Sequence, residues 1–178
     1  MYVLRKDLLL QLVQEAHIMG NVFFERDVLL PKLGELNVQA FEFKGYVGAF
    51  YDLVSYFNTN MDLLKQENID SLFGAAPIYT KIRDDNPTRY IAGCKVKNSM
   101  AADGCVIEGK VENCILFRGV KIAKGAKVKN CILMQDTVVE EGVELEYVIS
   151  DKNVTFTKDV ELEGAANFPI YVGKGKTI

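Results

Sequence analysis

A lone histidine, four cysteines, a glycine- and lysine-rich tail and two charged clusters are the residues whose types suit chemistry. His17 could act as a general base, the role imidazole fills in many acyl transfers. Cys94, Cys105, Cys114 and Cys131 form no Cys-x-x-Cys pair and have no histidine beside them. That pattern fits reduced thiols and a cytoplasmic setting better than a disulfide framework or a zinc site. Gly173-Lys174-Gly175-Lys176-Thr177 resembles the end of a phosphate-binding loop. Such a loop needs a glycine five residues before Gly175 and a helix after it, yet Ile170 holds that place. Glu140, Glu141, Glu144 and Glu146, with Asp84 and Asp85, read as solvated turns and outer faces. Lys121, Lys124, Lys127 and Lys129 read the same way, with an anion site as the sharper alternative.

The elements that carry these residues fall into two rhythms. After Ala92 a pattern Val-x-Asn-Ser/Cys-Met/Ile recurs at Val96–Met100, Val111–Ile115 and Val128–Ile132, and degenerates at Leu145–Ile149 and Leu162. The steps are 15, 17, 17 and 17 residues, and Ile122, Val139 and Phe156 keep the same step of 17. A coil of 17 residues is three faces of about six with one short corner, the pitch of a hexapeptide-type parallel β-helix. Gly104, Gly109, Gly119, Gly125, Gly142, Asn98, Asn113 and Asn130 supply the corners, because these residues accept positive φ at low cost. Valine and isoleucine recur where side chains stack inward. Ser99, Cys114, Cys131 and Val148 share one repeat position, so the cysteines are expected as small hydrophobes in a column and not as a metal or redox pair. Seventeen residues after Val154 comes Tyr171, so the tail reads as the start of a last coil. With no histidine on the coils, a free-standing hexapeptide acyltransferase lacks its main residue.

The first part has mixed α/β texture. Met1–Leu4 reads as a strand, Lys6–Ala16 as an amphipathic helix, and Phe23–Leu30 as a second amphipathic stretch ended by Pro31. Val38–Phe43 alternates as a strand would, and Leu53–Leu64 returns to helical spacing. These pieces are too few for a complete α/β layer. Pro77, Asp84, Asp85, Asn86 and Pro87 then break regular structure in a connector. The expected organisation is residues 1–70 as an α/β remnant, 71–92 as connector and 93–178 as β-helix. A net charge of −3 and a pI near 5.3 give no footprint for nucleic acid. No apolar run approaches the roughly 20 residues of a membrane span.

The same residues resemble a known family. Gly45-Tyr46, Ser55-Tyr56-Phe57 and Asn60-Met61-Asp62-Leu63-Leu64 are similar to the end of the nucleotidyltransferase domain of ADP-glucose pyrophosphorylases. Pro77-Ile78-Tyr79-Thr80, Asp103–Gly109, Leu116–Val120 and Asp151-Lys152-Asn153-Val154 extend the resemblance along the chain. It implies a left-handed β-helix, which the repeat alone does not dictate, and a C-terminal piece of a longer protein whose nucleotide-binding half precedes Met1. Catalytic members read G-Y-W-x-D-(V/I)-G-T, the aspartate binding the catalytic metal. Here the run is Gly45-Tyr46-Val47-Gly48-Ala49-Phe50-Tyr51-Asp52, with Ala49 at the aspartate position. A methyl group cannot ligate magnesium, which takes oxygen donors. The loss resembles the GlgD-type partner subunit, which works beside a catalytic GlgC-type subunit in glycogen synthesis. No catalytic, cofactor-binding or metal-binding residue is therefore expected in this chain. Magnesium and ATP would belong to the catalytic partner alone. The resemblance implies a cytoplasmic regulatory or assembly subunit in a hetero-oligomer, with an effector site between domains as in the family and self-association possible. A fragment of a catalytic glucose-1-phosphate adenylyltransferase is the alternative, so the enzyme question stays open at this point.

Overall fold

The structure, a computed structural model, describes residues 1–74, 78–80 and 84–178. Pro77, part of the expected connector and of the resemblance, lies outside them. The chain divides into two compact units, Met1–Lys44 and Gly45–Ile178.

In the first unit α1 spans Lys6–Met19, longer than its apolar stripe alone suggests. Asp7 sits in its first turn, where a carboxylate favours the helix dipole. Gly20 ends it with φ of 72°, and Asn21 N–H returns to the Ala16 carbonyl at 2.9 Å, a glycine C-cap. The expected amphipathic stretch forms a wide π-type turn at Phe24–Leu29, followed by a tight 3₁₀ turn at Leu30–Lys32. Asp27 fixes this bend by accepting from the Val22 and Phe23 amides at 3.1 and 2.9 Å. Leu12 and Val28 are buried. Met1–Leu4 and Val38–Phe43 form no strand. Alternation makes a strand only where a neighbouring strand takes its amides and carbonyls, and neither segment has one.

In the second unit α2 spans Leu53–Met61, followed by a 3₁₀ turn at Asp62–Leu64 and α3 at Gln66–Phe73. The remainder is a parallel β-helix with three five-stranded faces. The first face stacks Arg89–Tyr90, Val106–Ile107, Lys121–Ile122, Val138–Val139 and Thr155–Phe156. The second stacks Lys95–Lys97, Lys110–Glu112, Lys127–Lys129, Glu144–Glu146 and Glu161–Glu163. The third stacks Met100–Ala101, Ile115–Leu116, Ile132–Leu133, Val148–Ser150 and Ile170–Val172. All pairings are parallel, and the coils begin at Arg89, four residues ahead of the position at which the repeat first becomes legible.

Most of the positive-φ residues sort into three corner columns. One column holds Gly104, Gly119, Asp136 and Asn153, a second Gly125, Gly142 and Asp159, and the third Asn98, Asn113, Asn130 and Tyr147. The third is also a hydrogen-bonded ladder. The Asn98 amide donates to Asn113 at 2.8 Å, Asn113 to Asn130 at 3.2 Å, and Asn130 to the Glu146 carboxylate at 3.2 Å.

Gly109 has a different role from the other corner glycines. The second coil is two residues short between Ile107 and Lys110, and a Cβ on Gly109 would sit 2.5 Å from the Ala126 carbonyl oxygen. Close approach, not positive φ, requires glycine there. The last coil is instead lengthened. Its third-face strand follows Ala165–Phe168, where two mutual backbone bonds of 3.1 and 2.9 Å close a small loop.

The coil core is apolar and continuous, running from Ile107 through Ile122 and Val139 to Phe156 on the first face. Val111, Val128 and Leu145 fill it from the second face, and Leu116 and Leu133 from the third. Each such side chain contributes about 1.5–3 kcal/mol by leaving water. Thr137 and Ser150 are the buried polar exceptions among the described residues, and they bond each other at 3.0 Å.

Candidate functional site

The segment Gly45–Asp52 is held against α2 and α3 by short-range bonds. Tyr46 hydroxyl donates to the Thr59 carbonyl at 3.3 Å, and Tyr46 N–H to Ser71 Oγ at 3.3 Å. Thr59 Oγ1 in turn donates to the Ala49 carbonyl at 3.1 Å. Ala49 is thus anchored through its backbone, and its methyl offers nothing to a cation. Asp52, the nearest carboxylate that might substitute, is the N-cap of α2. Its Oδ1 accepts from Ser55 N–H at 2.7 Å, while Ser55 Oγ accepts from Asp52 N–H at 2.9 Å, a reciprocal capping box. Those bonds from the Ser55 amide and hydroxyl hold the Asp52 carboxyl below the usual carboxylate range. The donor set around position 49 does not fit a magnesium ion. Among the described residues no group of three or more His, Cys, Asp or Glu side chains is arranged to hold a metal.

The α2 helix is seated on the third face of the coils. Phe57 is 4% exposed and packs with Ile132 and Ile149, both almost fully buried although they point out of the coil core. Tyr56, Met61, Phe117 and Tyr147 surround this contact, and the Phe57 and Tyr147 rings lie 5.9 Å apart. The sequence carried a signal for this seat. In Ile115–Leu116 and Ile132–Leu133 both successive positions are apolar, so both sheet surfaces must be covered. Tyr147 holds φ of 51° in the corner column that asparagines occupy above it, a costly position for a bulky side chain.

Two of the cysteines, Cys114 and Cys131, stand buried in the expected column. Ser99, Cys114 and Cys131 stack, with Cys114 N–H to Ser99 Oγ at 3.0 Å and Cys131 N–H to Cys114 Sγ at 3.4 Å. Their thiols donate to the Glu112 and Lys129 carbonyls at 3.1 and 3.0 Å. Burial raises the Cys131 thiol well above its ordinary value, and burial also raises that of Cys105. Raised thiols are poor nucleophiles at neutral pH. His17 lies in the last turn of α1, outside the coils. In the tail, Gly175 N–H bonds the Lys152 carbonyl at 2.9 Å, and the Lys176 carbonyl accepts from Thr155 N–H at 2.9 Å. Gly173–Thr177 therefore continues the coil, as the 17-residue step predicts.

The charged clusters are split by the coil geometry. Lys121, Glu140 and Glu141 line an open groove of about 550 Å³ on the first face with Glu108, Val106 and Lys158. Glu140 accepts from Lys158 N–H at 3.0 Å, and Lys158 Nζ lies 3.6 Å from Glu141. Lys127, Lys129, Glu144 and Glu146 stand on the second face, where Lys127 pairs with Glu144 at 2.5 Å and Lys129 with Glu146 at 2.9 Å.

Residues 82–164 match the family model for the GlmU-like, C-terminal hexapeptide. Over those residues the coils are similar to a GlmU-like hexapeptide domain. The chain is also similar to two kinds of bacterial protein. It is 42% identical to glycogen biosynthesis protein GlgD of Bacillus subtilis (strain 168) over 91 residues, 51% of this chain and 26% of the relative. The GlgD of Geobacillus stearothermophilus is 54% identical over 69 residues, 38% of this chain and 20% of the relative. The glucose-1-phosphate adenylyltransferase of Geobacillus stearothermophilus is 34% identical over 129 residues, 70% of this chain and 33% of the relative. The chain thus spans between a fifth and a third of the length of these relatives. They are the two branches that the resemblance around Ala49 named. No helix of the described residues is long and apolar enough to cross a membrane.

Proposed function

We propose that the chain serves glycogen biosynthesis as the assembly and regulatory part of an ADP-glucose pyrophosphorylase, without being its catalytic centre. The observation that carries this reading is Ala49. Its methyl stands where catalytic members place a metal-binding aspartate, and the nearest carboxylate, Asp52, is committed to capping α2. The higher identities to the two GlgD relatives point the same way. In this reading the hexapeptide domain works in the cytoplasm as an attachment module, and its partner is a catalytic GlgC-type subunit that brings ATP and magnesium to the shared enzyme. Any effector acts by shifting the equilibrium of that partner.

The test is to mix the full chain with the glucose-1-phosphate adenylyltransferase of the same organism. Co-elution as a hetero-oligomer, with altered kinetics of ADP-glucose formation, is the expected result. Failure to associate, or turnover of ATP and glucose 1-phosphate by the chain alone, would overturn it. A second reading, part of a catalytic adenylyltransferase, draws on the 70% of the chain that aligns with that enzyme. Turnover without a partner is the result that would favour it.

A further inference from the structure

The second face carries charge at every outward position, and the two signs are segregated along the solenoid. One outward column reads Lys95, Lys110, Lys127, Glu144, Glu161, and the other Lys97, Glu112, Lys129, Glu146, Glu163. The first three coils hold five lysines and one glutamate, and the last two hold four glutamates. Strands in adjacent coils lie about 4.8 Å apart, so like charges in one column are direct neighbours and repel. Lys95 stands beside Lys110, Lys110 beside Lys127, Glu144 beside Glu161 and Glu146 beside Glu163. Strict alternation would remove this repulsion, and the run from Lys97 to Glu146 shows that the fold accepts alternation, with Lys97 and Glu112 paired at 2.8 Å. Among the described residues Lys95, Lys110, Glu161 and Glu163 have no ion pair, and all four are exposed.

We infer that this face docks a second copy of the chain, antiparallel and face to face, an inference that rests on the assembly role proposed above. A two-fold axis along the strands reverses the solenoid and lays each lysine-rich half on a glutamate-rich half. With the axis between the third and fourth coils, Lys127, Lys129 and Lys110 meet Glu144, Glu146 and Glu161 of the second copy, each twice by symmetry. Glu112 against Glu163 is the single like-charge pairing. A parallel arrangement exchanges the two columns and sets like against like in every coil but the second, where Lys110 meets Glu112, and a uniformly anionic ligand is repelled by the glutamate half. The contact is self-complementary, as a two-fold interface must be. Lacking an apolar centre, it belongs to the weak, salt-sensitive class of association.

The experiment is sedimentation of the full chain at about 0.01 M and about 1 M salt, where charges are screened beyond about 30 Å and 3 Å respectively. A dimer at low salt that dissociates at high salt is expected. The variant Lys110→Glu/Lys127→Glu and the variant Glu144→Lys/Glu161→Lys should each lose self-association by at least about tenfold. Their equimolar mixture should dimerise again. All four positions are exposed, and circular dichroism will show the variants folded. A chain that is monomeric at low salt, variants that still dimerise alone, or a mixture that stays apart would each overturn the inference. Binding of either variant to the adenylyltransferase is scored separately, so loss of the homodimer and loss of the hetero-oligomer remain distinct results.

Discussion

On the third face of the solenoid the outward positions of the middle coils are Ile115, Ile132 and Ile149. On the second face the equivalent positions are Lys110, Lys127 and Glu144, with Glu112, Lys129 and Glu146 two residues on. Backbone, register and pitch are shared, so the outward side chain alone decides what each face does. Ile132 and Ile149 are covered by α2 and lie within the fold, whereas the lysines and glutamates of the second face are not covered by the chain. One face therefore joins this chain to itself, and the other is left available for something charged. One repeat can thus serve two ends: inward positions keep the solenoid intact, and outward positions are free to specialise.

The sharpest way to break the comparison is to unseat α2. Phe57→Ala should cost about 3–5 kcal/mol, the usual range for truncating a buried aromatic. That energy holds α2 on the coils and not the coils together, since each strand keeps its ladder. Amide exchange of Leu53–Met61 should accelerate steeply while that of Ile132–Leu133 and Val148–Ser150 stays protected. Equal protection of α2 in variant and parent would show that Phe57 is not the anchor.

How much of this was readable in the sequence follows from which residues repeat. The coils, their pitch and the cysteine column were legible because Val111, Val128 and Leu145 must stack at fixed register, and Asn98, Asn113 and Asn130 must turn the chain at each corner. The role of Phe57 was not, because one helix contributes one residue: the repeating Ile132 and Ile149 mark a face that must be covered, but not what covers it. Val38–Phe43 misled for the opposite reason: its alternation is real, but alternation does not supply a neighbouring strand. Gly109 was read as one more corner glycine. Only the two-residue shortening of its coil shows that it answers to the Ala126 carbonyl. At the candidate site, Ala49 was legible by resemblance, while the commitment of Asp52 to its helix cap needed geometry.

The corner between the two faces sharpens the comparison on a smaller scale. Asn130→Ala removes amide bonds to Asn113 and Glu146 and leaves alanine at φ near 50°. A loss of about 1–2 kcal/mol is expected from the left-handed backbone and the lost bonds. It is read as a lower denaturant midpoint with an unchanged slope. Tyr147→Asn tests the same column where it turns toward α2. Asparagine relieves the backbone by about 1 kcal/mol, but the ring contact with Phe57 is worth about 0.5–1.5 kcal/mol. The net change should lie within about 1 kcal/mol of zero, with faster exchange in α2 as the mark of the lost ring. A large destabilisation would mean that Tyr147 supports the solenoid itself.

The smallest effect belongs to the bare face. Glu112 has its carboxyl held below the ordinary value by the Lys97 ammonium, and the same pairing raises Lys97. A carboxylate with a lowered folded-state pKa adds stability that is complete above its unfolded value, about 4.3, and fades as the pH falls through the lowered one. Comparing parent and Glu112→Gln by thermal melting from neutral to acid pH isolates this contribution. The parent should be the more stable at neutral pH, and the gap should close below about pH 4 as Glu112 takes up its proton. Both partners are exposed, so the gap should also shrink with salt, unlike the effect of Phe57→Ala. A gap that survives both acid and salt would mean that Glu112 packs rather than pairs. The charged face would then owe part of its structure to contacts like those of the isoleucine face.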